Sequence, residues 1–180
     1  MTNDLPFSRP VRVEPLPKDG LNQTIEADAA ERDAVAALNG LPAIAKLTAN
    51  FTVRRAGRDA VRVTGQVLAE VTQTCIVSLE PFAVTIDEPV DVRFAPPREA
   101  EAGRRKQSEG EADPTHFDAE DPPDPIVDGK IDLGALATEF MALALDPYPR
   151  KPGAVFEASD EGPPSDSPFG ALADLDKTKR

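Results

Sequence analysis

A single cysteine lies in a segment whose residue types could carry chemistry. Cys75 is followed by Ser78 three residues later, and then by Leu79 and Glu80. A lone thiol can act as a nucleophile, a metal ligand or a small apolar group in a core. The sequence offers no base at a defined position beside Cys75, so buried packing is the favoured role. One cysteine also excludes an intrachain disulfide framework and an all-cysteine metal cage.

Other groups that serve catalysis are scattered and isolated along the chain. His116 is the one histidine and lies in a strongly acidic stretch, where a solvated side chain is expected. The carboxylate pairs Asp87-Glu88 and Glu120-Asp121 favour solvated charge over an acid and base pair. No glycine-rich phosphate loop follows a strand. These patterns predict a protein without enzymatic activity, bound metal, cofactor or small-molecule substrate.

Two positively charged groups are candidate contact surfaces for RNA phosphate or for an acidic partner. The first consists of four arginines around a predicted hairpin turn. The second follows a predicted helix and sits on a proline-stiffened backbone between Asp146 and Gly153. Tyrosine and arginine are favoured anchors at protein interfaces, although a solvated linker explains the second group equally well. The residues concerned are Arg54, Arg55, Arg58, Arg62, Tyr148, Arg150 and Lys151.

The overall charge restricts the kinds of partner that the chain can bind. The 180 residues include 20 Lys and Arg against 32 Asp and Glu, which gives a net charge of −12. This balance argues against a protein that grips nucleic acid or anionic lipid through a broad basic face. The first ten residues have no apolar core of a signal peptide, and no apolar run approaches the roughly 20 residues of a membrane span. A cytoplasmic protein that does not bind membranes is therefore expected.

Composition divides the chain into a folded part and two acidic, proline-rich parts. Residues 107–125 contain seven acidic and no basic residues. One-sign charge with few apolar residues does not offset the entropy of ordering. We therefore predict one domain over residues 1–153, interrupted by a disordered acidic loop at about 96–125. A disordered tail is predicted over residues 154–180.

Two helices are predicted from capping signals and from apolar spacing. Asp28 with Glu31 forms a capping-box pattern before residues 29–38, and Asn39-Gly40 supplies the stop. Asp132 is a second N-cap, and Pro147 ends the helix that follows it.

Three strands are predicted from residues that alternate between apolar and polar. The alternation runs through Ala45–Val53 and Val61–Val71, with a turn between Arg54 and Asp59, and continues from Phe82 to Phe94. Pro89 cannot donate to a ladder, so the third strand should bulge or run along an edge there. A short strand is also predicted at Ile126-Val127. The expected fold class is α+β, an antiparallel sheet with one or two covering helices, with curling toward a small barrel as a variant.

Two stretches are specific when they are taken together. The first runs from Val71 through Cys75 and Ser78 to Phe82, and the second comprises residues 131–134 and 139–153. They resemble the YceD family of small bacterial and plastid proteins, which are linked to accumulation of large-subunit ribosomal RNA. The Arg12–Gly20 segment and the helix start at Ala27–Arg32 also fit, so the resemblance covers roughly residues 7–156.

The family pattern that the resemblance brings is C-x-x-C followed by Leu-Glu. Here Cys75 holds the first position, Ser78 the second, and Leu79-Glu80 are retained. Some relatives carry further cysteines after the C-terminal helix, which would suit zinc, but this chain has Tyr148 to Lys151 there. One remaining thiolate does not support a four-coordinate zinc site.

The resemblance implies a non-enzymatic factor for accumulation, processing or assembly of large-subunit (23S) ribosomal RNA. The acidic composition favours an adaptor for ribosomal or rRNA-processing proteins, in which ordered surfaces dock one partner and acidic segments steer a basic one. Large-subunit precursor rRNA is a further candidate partner. Direct RNA binding through the arginine group and a cryptic RNA-processing nuclease are the alternatives.

Overall fold

The computed structural model describes residues 5–57, 59–102 and 122–156. Seven strands and three helical segments occur in these ranges. They are β1 (Pro10–Arg12), β2 (Leu21–Glu26), α1 (Ala29–Leu38), β3 (Ala43–Arg55), β4 (Val61–Thr74), β5 (Pro81–Ala95), α2 (described over 97–102), β6 (Asp124–Pro125), β7 (Lys130–Asp132) and α3 (Leu133–Leu143).

Five strands form the main sheet, in the order β2-β3-β4-β5-β6. The first four are antiparallel, and β6 adds two residues parallel to the end of β5. A separate two-stranded sheet pairs β1 with β7. The α+β prediction is confirmed. Within the described residues the main sheet stays open, with β2 and β6 at its two ends, so the predicted curl does not close into a barrel.

The alternation of apolar residues places the core on one face of this sheet. Phe51 and Val53 of β3, Val63 and Val67 of β4, and Val90 of β5 are all buried. Their neighbours in sequence point to the opposite face, as the period of two predicts. The long central strands thus follow directly from the sequence pattern.

The first residues of β3 depart from the predicted alternation. Ala45 was expected on the core face, but it is exposed and Ile44 is buried instead. The pairing register with β4 shifts between Ile44 and Lys46, which marks a β-bulge. One extra residue reverses which side chains face the core, so the prediction for Ala45 was wrong.

The third strand runs straight through its proline. Pro89 lies opposite Gln66, and the β4–β5 register is unbroken on both sides of it. The bulge expected there is absent from this strand. The alternative expectation, an edge position, holds among the residues that the structure describes, where β6 covers only Phe94 and Ala95 of β5.

Both ends of the predicted acidic loop are structured. Residues 97–102 are helical, and Asp124–Pro125 form β6. The prediction of disorder was therefore too wide at its ends, because Ala100 is buried and Ile126 joins the core. A short strand was expected at Ile126-Val127, but the strand that forms is β6, two residues earlier in the chain. Val127 makes an isolated bridge with Lys130. The middle of the loop and the tail from residue 157 lie outside the described residues.

The two predicted helices form and contact the main sheet. Asp28 accepts from the Glu31 N–H, and the Glu31 side chain accepts from the Asp28 N–H, so the predicted capping box is complete. Glu31 also binds the Arg9 guanidinium through both oxygens, at 2.6 and 2.8 Å. The side chain of Asp132 caps α3 by accepting from the Gly134 and Ala135 N–H groups. None of the described helices is long and apolar enough to cross a membrane.

Asp132 links the start of α3 to the N-terminal segment, which makes it a test of stability against pH. Burial raises the pKa of Asp132, but hydrogen bonds from the Ser8 hydroxyl and from backbone N–H groups outweigh this effect and leave the pKa below its usual value. Because the pKa is lowered on folding, the ionised carboxylate stabilises the protein above the unfolded-state value of about 4. That stability is lost as the pH falls through the folded-state pKa.

We expect Asp132→Ala to lower the free energy of unfolding near pH 7 by about 1–2 kcal/mol, the usual cost of losing an N-cap. Urea unfolding at neutral and acidic pH measures this loss. The difference in free energy of unfolding between the variant and the wild type should become smaller below about pH 4. Glu139→Ala, an exposed position on the same helix, is the control and should show neither effect. A loss that does not change with pH would contradict the role of the charge.

Candidate functional site: the cysteine turn and the segment after helix α3

The connection between β4 and β5 is a tight turn centred on Cys75. The Cys75 N–H donates to the Glu80 carbonyl, and the Leu79 N–H donates to the Cys75 carbonyl, both at 2.9 Å. Leu79 sits in the left-handed region with φ +59°. A side chain with a Cβ pays roughly 1–2 kcal/mol there, so the surrounding turn must hold it in place.

The Cys75 sulfur is fully buried and accepts hydrogen bonds inside this turn. The Val77 and Ser78 N–H groups each lie 3.4 Å from Sγ. The Ser78 hydroxyl and N–H are the strongest influences that lower the pKa of Cys75; burial opposes them, and the Lys151 and Val77 N–H groups support them. The result is a pKa lowered to about 6. The packing role predicted for Cys75 fits its burial, and its environment also favours the thiolate.

The lowered pKa of Cys75 can be measured directly. The ultraviolet absorbance of the thiolate should rise with a midpoint at about pH 6 rather than near the ordinary value of 9.0. In Ser78→Ala the midpoint should move up, because the hydroxyl that most favours the thiolate is gone. Cys75→Ala should lack the step altogether and identifies its origin. A wild-type midpoint above pH 8 would contradict the described hydrogen bonds.

The segment after α3 packs directly against the cysteine turn. The Ile76 N–H donates to the Pro149 carbonyl at 2.9 Å, and the buried Gln73 side chain donates to the Asp146 carbonyl at 3.0 Å. The Lys151 ammonium lies 2.8 Å from the Glu80 carboxylate, which raises the pKa of Lys151 and lowers that of Glu80. Two candidate groups that are more than 60 residues apart in sequence therefore form one site.

We call this site the motif face and define it as residues 75–80 together with residues 146–151. It exposes three large apolar side chains: Ile76 at 44%, Leu79 at 75% and Tyr148 at 71%. Arg150 is also exposed. A groove of about 310 Å³ adjoins the face. It lies between residues 39–42, which follow α1, and the segment after α3 at Leu145, Asp146, Pro147 and Pro149. Apolar side chains rimmed by charge are typical of protein contact surfaces.

The arginine group lies around the β3–β4 turn, at the end of these strands opposite the motif face. It is less available for contact with RNA or an acidic partner than the sequence suggests. Arg54 and Arg62 lie directly opposite each other, but Arg62 binds both oxygens of Asp91, at 2.6 and 2.7 Å. Arg55 is exposed and lies opposite Val61. Arg58 lies outside the described residues. The structure thus brings Arg54 and Arg62 together and supplies Arg62 with an acidic partner from the same chain.

A zinc site built on a C-x-x-C pair, which the family resemblance suggested, does not fit the residues at the motif face. Ser78 stands in the second cysteine position, and the Lys151 N–H and ammonium charge lie toward the thiolate. A cation held there by Glu80 opposes a bound metal ion. Across the described ranges, no cluster of three or more His, Cys, Asp or Glu side chains is arranged for a metal.

Sequence reasoning identified the members of the motif face but not their contact with one another. It also did not single out Ile76, Gln73 or the carbonyl groups of Asp146 and Pro149 as parts of a site. One signal was present in the sequence: the apolar residues Ile76 and Leu79 occur in a turn, where they have no place in the alternating core pattern. The backbone contacts left no sequence signal, because any residue supplies a carbonyl group.

Comparison of the chain with known proteins identifies one family. No curated protein and no solved structure matches the chain. The model of one family, described as Large ribosomal RNA subunit accumulation protein YceD, matches residues 63–176. The match is more than half of the chain and includes the cysteine turn, α3 and the segment after it. The resemblance noted for residues 7–62 lies outside the match and stays a prediction. Since this model matches more than half of the chain, the chain belongs to the YceD family, whose description is a role in large ribosomal RNA subunit accumulation.

Proposed function

We propose that this protein is a non-enzymatic adaptor in large-subunit ribosomal RNA accumulation that binds ribosomal or rRNA-processing proteins through its motif face. The proposal places it in the cytoplasm. The observation that carries it is the joining of Cys75–Glu80 to residues 146–151. Both segments belong to the matched family region, and together they present an exposed apolar surface.

Backbone strain supports a binding role for this face. Leu79 is held in the left-handed region although it is three-quarters exposed, where glycine or asparagine would cost less. Because this leucine side chain is exposed, it makes few packing contacts within the fold that could offset the backbone strain. Strain of this kind is kept at sites where a defined side-chain position is needed. A partner with a complementary apolar pocket would supply the missing contact.

The charge of the chain supports a protein partner over bare RNA. The net charge of −12 repels phosphate, and the Arg62 and Arg93 guanidinium groups already bind the acidic residues Asp91 and Glu99. A basic ribosomal protein is attracted by the same charge, and the attraction raises its association rate. Direct RNA binding through Arg54 and Arg55 remains the alternative function.

The test is recovery of partners on the tagged full-length protein from a lysate of the source cells. Samples at low and moderate salt are compared, with and without nuclease treatment. We expect large-subunit ribosomal or processing proteins to be retained after nuclease treatment and to be lost as the salt rises. If nuclease treatment abolishes the recovery of these proteins, the result favours direct RNA binding. In that case the double variant Arg54→Ala with Arg55→Ala should show a weaker dependence of RNA affinity on salt concentration than the wild type. Recovery of no ribosomal material would refute the proposal.

A further inference from the structure

Within the described residues, the long strand β5 has a free edge over most of its length. β4 pairs with one side of it from Pro81 to Phe94, and the described part of the chain covers the other side only at Phe94 and Ala95, through β6. An uncovered edge presents a row of N–H and C=O groups that can pair with another extended chain. The part of β5 before Phe94 is therefore an open ladder among the described residues.

The direction of the backbone groups follows from the β6 pairing. The Ala95 carbonyl accepts from the Ile126 N–H at 2.8 Å, so the backbone groups of Ala95 point outward. In an antiparallel strand, successive residues point their N–H and C=O groups to alternate sides. The odd-numbered residues from Ala83 to Arg93 therefore point outward, and each of them is exposed. Pro89 belongs to this set, which explains why the β4–β5 register is unbroken at a residue that has no N–H.

A groove beside the free edge can receive the side chains of an added strand. It has a volume of about 430 Å³ and lies between β5 and α3. Its apolar lining includes Val92 of β5 with Leu136, Phe140 and Leu143 of α3, and the Leu143 side chain is 73% exposed. An extended peptide on β5 would direct every second side chain toward this groove.

Among the described residues, the charge along the edge is negative. Arg62 and Arg93 are paired with Asp91 and Glu99, whereas the carboxylates of Asp87, Glu88 and Glu139 have no cation partner within the described part of the chain. If a second copy of the chain paired with this edge, the carboxylates of the two copies would lie close together. Each copy also carries a net charge of −12, so the two chains would repel each other. Like charges opposite one another destabilise a strand pair, so the edge disfavours self-pairing and favours a basic segment.

We infer that the outward edge of β5 binds an extended segment of a basic protein by strand addition, with apolar residues of that segment alternating with lysine or arginine. The inference rests on the proposed function for the class of partner, because basic proteins are the expected ones. It adds a second surface, distinct from the motif face, and a mode of recognition in which backbone hydrogen bonds supply affinity and the groove supplies selectivity.

The probe is a labelled synthetic peptide of about ten residues with alternating lysine and valine, the length of a long strand. Fluorescence anisotropy with the purified full-length chain measures its affinity at low salt, and amide hydrogen exchange locates it. We expect slowed exchange at Ala83, Thr85, Asp87, Asp91 and Arg93. A peptide of alternating glutamate and valine should not bind.

Thr85→Pro is the decisive variant, because it removes one outward N–H donor in the same way that Pro89 does. It leaves the β4–β5 ladder intact, and equal urea unfolding of the variant and the wild type confirms that it folds. Loss of one ladder hydrogen bond should weaken peptide binding by roughly two- to twelve-fold. Thr85→Val keeps the N–H and should bind like the wild type.

Three outcomes of the peptide experiments would overturn the inference. They are the absence of binding by the lysine–valine peptide, equal affinity in Thr85→Pro, and protection of residues away from β5. Protection of the edge on concentrating the protein alone would assign it to a second copy and overturn it as well. These results are independent of the lysate experiment, since the purified peptide tests the edge even when no ribosomal partner is recovered.

Discussion

Replacing Gly65 with alanine is expected to lower the free energy of unfolding by about 3 kcal/mol or more. A Cβ built on Gly65 would lie 2.0 Å from the Asn50 carbonyl oxygen and 2.9 Å from the Phe51 ring. The first neighbour is backbone in the β3–β4 pair, and the second is a ring that is 2% exposed in the core. Neither can move aside cheaply, so the two central strands must separate at this point.

Urea unfolding of Gly65→Ala beside Thr64→Ala measures this effect. Thr64 lies on the same strand and faces away from the core, so its truncation should cost little. A loss below about 1 kcal/mol for Gly65→Ala would show that β3 and β4 accommodate a methyl group, contrary to the packing described here.

Combining Leu79→Asn with Tyr148→Ala should cut recovery of partner proteins by at least about ten-fold, because central apolar anchors dominate interface energies. Both side chains are mostly exposed, and asparagine tolerates the left-handed backbone at position 79. The variant should therefore unfold at the same urea concentration as the wild type. The measurement is quantitative recovery on the tagged protein after nuclease treatment.

Val127→Asn is the matched control for loss of an exposed apolar side chain. Val127 is 62% exposed and lies outside the motif face. Recovery should be unchanged in this variant. Equal recovery on the double variant and the wild type, with both folded, would remove the motif face from the proposed function while leaving the family assignment intact.

The local structure of the chain was largely predictable, because it depends on neighbouring residues. The capping box of Asp28 and Glu31 and the cap at Asp132 were read from spacing alone, and both form as expected. The alternation predicted from Val61 to Val71 gave the correct buried face of β4, on which the valines and Ala69 are buried. Helix caps and strand faces are set by contacts within a few residues, which a sequence displays directly.

The elements that were missed depend on partners that are distant in sequence. Strand β2 has a weak pattern in which Ile25 is the one buried residue, and it is a strand because β3 pairs with it. The reversal at Ala45 comes from a bulge that β4 accommodates. The helical residues 97–102 stand where composition predicted a loop. Pairing energy from another strand or from core packing overrides weak local preference in such places.

For this protein, the sequence by itself determined the α+β class, the long alternating strands, the acidic charge and the cysteine turn that the family match includes. Tertiary structure alone decided that Ile76 meets Pro149, that Lys151 pairs with Glu80, and that the described strands leave one edge of β5 open. The reason is physical. Strand alternation and helix capping depend on residues that are close together in sequence. Contacts between residues more than 60 positions apart depend on how the sheet and α3 pack and bring two distant backbone segments together.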